Sequence, residues 1–375
     1  MTPLGEIARV FLLLGTAAFG GPAAHIAMMH DQVVRRRQWL SNAEFMDLVA
    51  AVNLIPGPNS TELAIHIGRR QAGLAGLAVA GISFIVPASL IVATLAAIYV
   101  EYGQTPDARA LLTGIAPVII AIIIHATFQL AKTALKSVWL WIVGALAVAL
   151  SVFGVNELAI LLGAGLLMLG AHGARRALAV VIVACASSAS LAAASTASAS
   201  LVKLTLFFLK VGSVLFGSGY VLIAFLRADL VDRWGWLTEQ QLLDAVAVGQ
   251  FTPGPLFTTA TFIGYVLAGW PGAVLSTIAI FLPAFVFVWI THPIIPRLRE
   301  SRPVAAFLDG VVAASLGLMA AVALTIGRTT LIDPLWIAVT VASLVALTMW
   351  RVNSVWLVLA GGVMGWVEGM VNGEW

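Results

Sequence analysis

Residues 74–99 hold no charged side chain, and long apolar segments recur at 110–131, 138–153, 158–171, 271–290, 305–326, 335–349 and 354–370. A soluble core helix does not need such length, whereas about 20 apolar residues suffice to cross the hydrocarbon of a bilayer. Charged residues are 10% of the chain against 61% hydrophobic, where soluble domains carry roughly a quarter charged. An ordinary soluble globule is excluded. A transmembrane β-barrel is excluded as well, because its strands alternate polar and apolar residues and these segments do not. The sequence therefore predicts an all-α, polytopic helical membrane protein, with room for roughly ten spans. Residues 10–19 lack a small-residue cleavage site after them and read as a retained first span rather than a signal peptide.

The chain matches itself at an offset of 197 residues. Phe11, Gly15, Phe19, Gly20, Trp39, Leu40, Asp47, Pro56, Gly57, Pro58 and Thr61 meet Phe208, Gly212, Phe216, Gly217, Trp236, Leu237, Asp244, Pro253, Gly254, Pro255 and Thr258. One residue of slip later, Ile67, Gly68, Gly73, Gly76 and Pro87 meet Ile263, Gly264, Gly269, Gly272 and Pro283. Tandem duplication is the only economical account of shared Trp, Pro and Gly in order. We divide the chain into a first repeat over 1–176, an Ala/Ser-rich linker or extra helix over 177–203 and a second repeat over 204–375.

Each half starts with a long apolar helix (about 7–29; 204–226) interrupted by Gly20-Gly21-Pro22 or Gly217-Ser218-Gly219. An amphipathic helix (42–54; 239–251), a Pro-Gly-Pro break and a short helix (59–71; 256–268) follow. Two short helices about such an elbow form a re-entrant hairpin, since broken backbone at membrane depth is tolerated only inside protein or beside water. Four more apolar segments complete a half of about five spans. Arg35-Arg36-Arg37, Arg69-Arg70, Lys132, Lys136 and Arg175-Arg176 then share one side, which the positive-inside rule makes cytoplasmic. The second half fits better inverted, bringing Arg297, Arg299 and Arg302 to that side. Residues 178–200 matter to this expectation: with five spans per half, a full crossing there sets the halves parallel and a non-crossing segment leaves them inverted.

Paired helix breaks in duplicated halves point to a secondary transporter with its substrate near the midplane. An interrupted helix exposes unpaired N–H groups and the positive end of its dipole, an anion site without formal charge. Asn59 and Leu256 open the short helices behind the two elbows, and the glycines allow close backbone approach to a ligand. Two such ends facing each other suit a dianion.

Phe19-Gly20-Gly21-Pro22, Met29-His30, Trp39-Leu40, and Leu54-Ile55-Pro56-Gly57-Pro58 with Ile67-Gly68 resemble the signature of the chromate ion transporter family, in its long two-domain form. Phe216-Gly217-Ser218-Gly219 and Phe251-Thr252-Pro253-Gly254-Pro255 repeat it. The resemblance implies export of chromate, a tetrahedral dianion like sulfate, from the bacterial cytoplasm across the inner membrane, giving chromate resistance. Some members serve another anion. The second half departs from the pattern with Ser218-Gly219 in place of Gly21-Pro22, so unequal contributions are expected.

Several side chains are candidates beside the breaks. Glu62 either carries a coupling proton or caps Asn59 at capping-box spacing. Thr258 and Thr259 offer hydroxyl donors to an oxyanion, or pack helices. Lys210, opposite Leu13 in the repeat, either neutralises substrate or snorkels. His25, opposite Leu222, is a titratable group one turn after the first break, with plain packing as its alternative. His66 and His125 are read as packing residues, Trp39 and Trp236 as interfacial anchors. A net charge of +3 and pI near 9.3 would suggest nucleic acid in a soluble chain, but here Lys and Arg in short loops set topology. The single cysteine, Cys185, excludes an internal disulfide and a Cys-based metal site. No metal or cofactor is called for, and His-Glu-x-x-His and Gly-x-Ser-x-Gly motifs of enzymes are lacking. The expected partners are the bilayer, the anion and a proton; the sequence leaves open a homodimer and the ranking of chromate against sulfate.

Overall fold

The computed structural model describes residues 2–18, 21–52, 55–171, 200–216, 219–292, 301–350 and 352–372. Gly20, Gly217, Ser218, Cys185, Arg175, Arg176, Arg297, Arg299 and all of the 178–200 segment but Ser200 lie outside the described residues. Among those described, 14 α-helices occur and no strand. In the first half they are α1 (Leu4–Ala17), α2 (Gly21–His30), α3 (Asn42–Val52), α4 (Asn59–Tyr102), α5 (Pro106–Ala134), α6 (Val138–Val152) and α7 (Glu157–Ala171). The second half holds α8 (Leu201–Val214), α9 (Leu222–Leu226), α10 (Glu239–Phe251), α11 (Thr259–Thr291), α12 (Arg302–Thr330), α13 (Pro334–Met349) and α14 (Ser354–Asn372). Single turns of π-helix extend α2 and α9 over Asp31–Arg36 and Arg227–Arg233.

Local chemistry starts these helices where the sequence suggests. Thr105 caps α5 ahead of Pro106, Asp333 caps α13 ahead of Pro334, and Thr238 with Gln241 forms a full capping box on α10. Both long helices, α4 and α11, are bent after their first arm. Ala72-Gly73 and Ala268-Gly269 leave helical geometry there, with φ of 63° and 60° at the glycines. The arms on either side of each bend pack backbone to backbone. A Cβ on Gly76 would sit 2.1 Å from the Gly68 carbonyl, and one on Gly272 2.1 Å from that of Gly264.

The first apolar segment differs from its expectation. It is interrupted where the sequence said, but α1 and α2 fold back on each other instead of running through. Glu6 near the start of α1 lies 3.6 Å from Arg37 beyond α2. In the second half Phe207 of α8 meets Trp234 beyond α9, ring centroids 5.6 Å apart. The α3 hairpin returns to the same face as the first: Thr2 bonds Gln71 at 2.7 Å, Gln71 donates to the Trp39 carbonyl at 3.1 Å, and Arg70 pairs with Glu44. Among the described residues, each half thus has two hairpins and four longer helical arms. The physical reason is the short reach of α1: 14 residues rise only about 21 Å, less than a hydrocarbon core of about 30 Å.

The long arms of α4 and α11 run in opposite directions. Tyr99, near the end of α4, donates to Asp244 of α10 at 2.7 Å and packs on Phe262 of the short arm of α11. At the other end, His292 after α11 lies 3.4 Å from His66 on the short arm of α4. The halves also interdigitate through small residues. Gly114 of α5 packs on Gly361 and Gly365 of α14, and Gly310 of α12 packs on Ala164 of α7. The largest apolar core draws on both halves, and a smaller one lies within the first half, among Ile7, Phe11, Phe45, Leu63 and Phe84. Large apolar side chains such as Trp139, Trp141, Trp289 and Trp356 are exposed on the outside, as a lipid-facing surface requires. Among the described residues, five helical spans, from Asn59–Tyr102 to Ser354–Val371, are long and apolar enough to cross a membrane, and the chain is a multi-pass membrane protein.

Candidate functional site

The Pro-Gly-Pro elbows stand at the meeting of the halves, and each is tied to the broken first helix of the other. Gly57 donates its N–H to the Leu215 carbonyl at 2.7 Å, and Gly254 donates to the Ala18 carbonyl at 3.0 Å. These pairs are equivalents of one another in the duplication. Ala18 and Leu215 are the first residues beyond α1 and α8, and each carries an end-of-helix carbonyl that needs an external donor. The elbow supplies it. Gly57 has φ 137° and Gly254 φ 94°, a region that a side chain strains by about 1–3 kcal/mol. Packing opposes a side chain too: a Cβ on Gly57 would sit 2.5 Å from Glu62 Oε1, which would have to turn aside, and one on Gly254 2.4 Å from the Ala88 Cβ.

The two elbows are not equally enclosed. Pro253, Gly254, Pro255, Thr258 and Thr259 are all buried, while Pro56 and Asn59 of the first elbow are partly exposed beside buried Gly57 and Pro58. Behind the first elbow, α4 begins with Asn59, Ser60 and Thr61, whose N–H groups precede the first helical bond, Glu62 N–H to the Pro58 carbonyl at 3.0 Å. The Thr61 hydroxyl and both carboxyl oxygens of Glu62 are buried with no hydrogen-bond partner among the described residues. Glu62 therefore caps nothing in this arrangement. Unpartnered buried polar atoms cost about 1–3 kcal/mol each, and three in one helical turn mark a place shaped for something other than stability.

Behind the second elbow the hydroxyls are turned inward. Thr258 donates to the Pro255 carbonyl and Thr259 to that of Leu256, each at 2.8 Å, so in this state neither proton faces an incoming ligand. Gly219 opens a 3-10 turn against its own half's elbow, where a Cβ would lie 3.1 Å from Leu256. Gly21 and Pro22 open α2. His25 is buried with Nε2 3.1 Å from the Ala18 carbonyl and its ring edge-on to Phe84. It thus shares Ala18 with Gly254. Leu222, its equivalent, has no such polar link.

Lys210 is placed away from the elbows. It pairs with buried Asp229, which also binds Arg233 at 3.2 Å, and its ammonium stacks on Phe207. Its charge is already neutralised. Sequence reasoning passed over Thr61, although its alignment with Thr258 was a signal, and took His66 for packing. His66 is buried and meets His292 of the opposite half, which with Arg69, Arg70, Thr2, Glu6, Trp39, Glu44 and Gln71 lines a cavity. No sequence signal links residues so far apart. Groups of three or more metal-ligating side chains are absent among the described residues.

The chain was compared with known proteins. A chromate transporter family model matches residues 5–169 and again 202–366. The chain is 34% identical to a chromate transport protein of Pseudomonas aeruginosa over 95% of this chain and 90% of the relative. It is 32% identical to one of Cupriavidus metallidurans over 88% and 84%, and 32% identical to a probable chromate transport protein of Synechococcus elongatus over 88% and 86%. No solved structure matches. Two copies of the family domain, holding crossed Pro-Gly-Pro elbows, cover most of these 375 residues, and the chain belongs to the chromate transporter family.

Proposed function

We propose that this protein is a secondary carrier that exports chromate, or a closely similar tetrahedral dianion, across the bacterial cytoplasmic membrane and so confers chromate resistance. The observation that carries the proposal is the crossed pair of bonds, Gly57 to Leu215 and Gly254 to Ala18. It sets both elbows and both broken helices together between the repeats, where carriers of duplicated design hold substrate. The N–H groups opening α4, with Thr61, are the first donors offered to the anion; Asn59, Pro56 and Pro58 form the accessible rim. Gly21 and Gly219 let the opposite backbones approach, and Pro253, Pro255, Thr258 and Thr259 complete the second side once the two threonine hydroxyls turn. Both elbows come from one chain, so the site needs no second copy.

The halves are inverted in the membrane. Opposed α4 and α11 arms support this, as does the position of Arg37, Arg69 and Arg70 at one face and Tyr99 at the other. Four crossings per half, with both hairpins returning, bring the chain out of α7 on the cytoplasmic face. On the face opposite Arg69 and Arg70, Lys210, Asp229, Arg233 and Arg227 with Asp232 form a cluster of ion pairs.

A negative interior already drives a dianion outward, by about 2.3 kcal/mol per charge per 100 mV. Proton exchange adds to this through Glu62. A charge in its unpartnered, buried position is costly, so the carboxyl holds its proton here and releases it when the first elbow moves. Counterflow in proteoliposomes tests the proposal. Radiolabelled chromate should exchange and be competed by sulfate more weakly than by chromate. Absence of flux for any oxyanion would refute it, and stronger competition by sulfate would assign the protein to sulfate instead.

A further inference from the structure

We infer a second oxyanion site, separate from the elbows, in the cavity where the bend of α4 meets the end of α11. Only the choice of probe rests on the proposed transport; the site itself stands on its own residues. The cavity, of about 770 Å³, is lined by Thr2, Glu6, Trp39, Arg69, Arg70 and His292 among others. Its acids are already matched: Glu44 binds Arg70, and Glu6 lies 3.6 Å from Arg37. Arg69 has no carboxylate partner among the described residues, and its buried Nη1 has no hydrogen-bond partner at all. One guanidinium is therefore left over beside a chamber large enough for a hydrated anion. Arginine's planar fork suits two oxygens of a sulfate-like or phosphate group.

The histidines supply the neutral donor. His66 is fully buried, its Nε2 lacks a partner, and its Nδ1 lies 3.4 Å from Nδ1 of His292. One ring must donate to the other. When His66 donates, His292 keeps its proton on Nε2, on the ring that lines the cavity. Arg69 and His292 belong to opposite halves, so an oxyanion held between them bridges α4 and α11 at the same face. The geometry assigns this cavity as the first docking point for an anion leaving the cytoplasm, upstream of the elbows. A lipid phosphate offers the same chemistry at this depth.

The experiment measures binding of radiolabelled sulfate to the purified full-length protein, in detergent and in nanodiscs of phosphatidylcholine with or without phosphatidylglycerol. Arg69→Gln should weaken sulfate binding at least tenfold and His292→Gln severalfold, while Arg69→Lys keeps part of it; an unchanged gel-filtration profile excludes misfolding. Gly57→Leu, which disables an elbow, should leave this binding in place. In transport, Arg69→Gln should raise KM without lowering kcat. Loss of sulfate binding on adding phosphatidylglycerol, in the parent but not in Arg69→Gln, would identify a headgroup as the resident oxyanion of the same site. Undiminished sulfate and phosphatidylglycerol binding by Arg69→Gln would overturn the inference, and so would loss of all binding in a folded Gly57→Leu protein.

Discussion

Gly57 donates its backbone N–H to the carbonyl of Leu215 at 2.7 Å, and its duplicate, Gly254, repeats the bond to Ala18. Each half thereby satisfies a helix end of the other. Such hydrogen bonds contribute about 0.5–1.5 kcal/mol each, so they can exchange during transport. Their loss without replacement would leave buried backbone unpaired. Motion of one elbow is thus coupled to the break in the opposite repeat.

Gly57→Leu and Gly254→Leu should each abolish chromate flux while the protein stays in the membrane at its normal level. Positive φ strains a side chain at both places, and a Cβ would meet the Glu62 carboxyl at 2.5 Å in the first elbow and the Ala88 Cβ at 2.4 Å in the second. Uptake into proteoliposomes beside quantitative membrane blots decides this. Normal flux through both variants would remove the elbows from the mechanism.

Glu62→Gln keeps the shape of a protonated carboxyl but cannot release a proton. Chromate counterflow should persist within about twofold, whereas chromate movement driven by a pH gradient should disappear. A pH-sensitive dye inside the vesicles reports the proton side of the exchange. Equal gradient-driven flux in the variant would leave Glu62 without a coupling role.

Asp229→Asn strips the partly buried ammonium of Lys210 of its partner. Breaking one side of a buried pair costs up to about 3–5 kcal/mol, and Lys210 is one-third exposed, so a loss near the lower end is expected. Thermal unfolding in detergent should show it, and Lys210→Met added to Asp229→Asn should restore most of the midpoint. A double variant no better than the single one would mean that the pair is not the stabilising contact.

Reporters fused after Ser301 and after Gln104 should face opposite sides, the first cytoplasmic and the second periplasmic. Phosphatase and fluorescent-protein fusions read the two sides independently. An external Ser301 would require parallel halves and contradict the opposed α4 and α11 arms.

Much of this architecture is legible in the sequence because it repeats. Matched Pro-Gly-Pro elbows and Gly73 with Gly269 are local instructions, set by backbone sterics. The interruption near Gly20 is equally local, but what it does is not. Whether the chain passes on or turns back after Ala18 depends on what receives its carbonyl, and that is Gly254, from the other half. The expected capping by Glu62 failed for a similar reason: its carboxyl points toward Gly57, a contact between an elbow and the next helical turn that spacing alone does not fix.

The sequence by itself determined a membrane-embedded, duplicated, helical carrier and the positions of its broken helices, since hydropathy and the conformational limits of Gly and Pro act over a few residues. Tertiary structure alone decided the partnerships: Gly57 with Leu215, Tyr99 with Asp244, His66 with His292. Each joins groups more than 140 residues apart, through backbone atoms or common polar side chains that leave no pattern in the chain. The unpaired Arg69 follows from those partnerships, because a charge is surplus only after its neighbours have been matched.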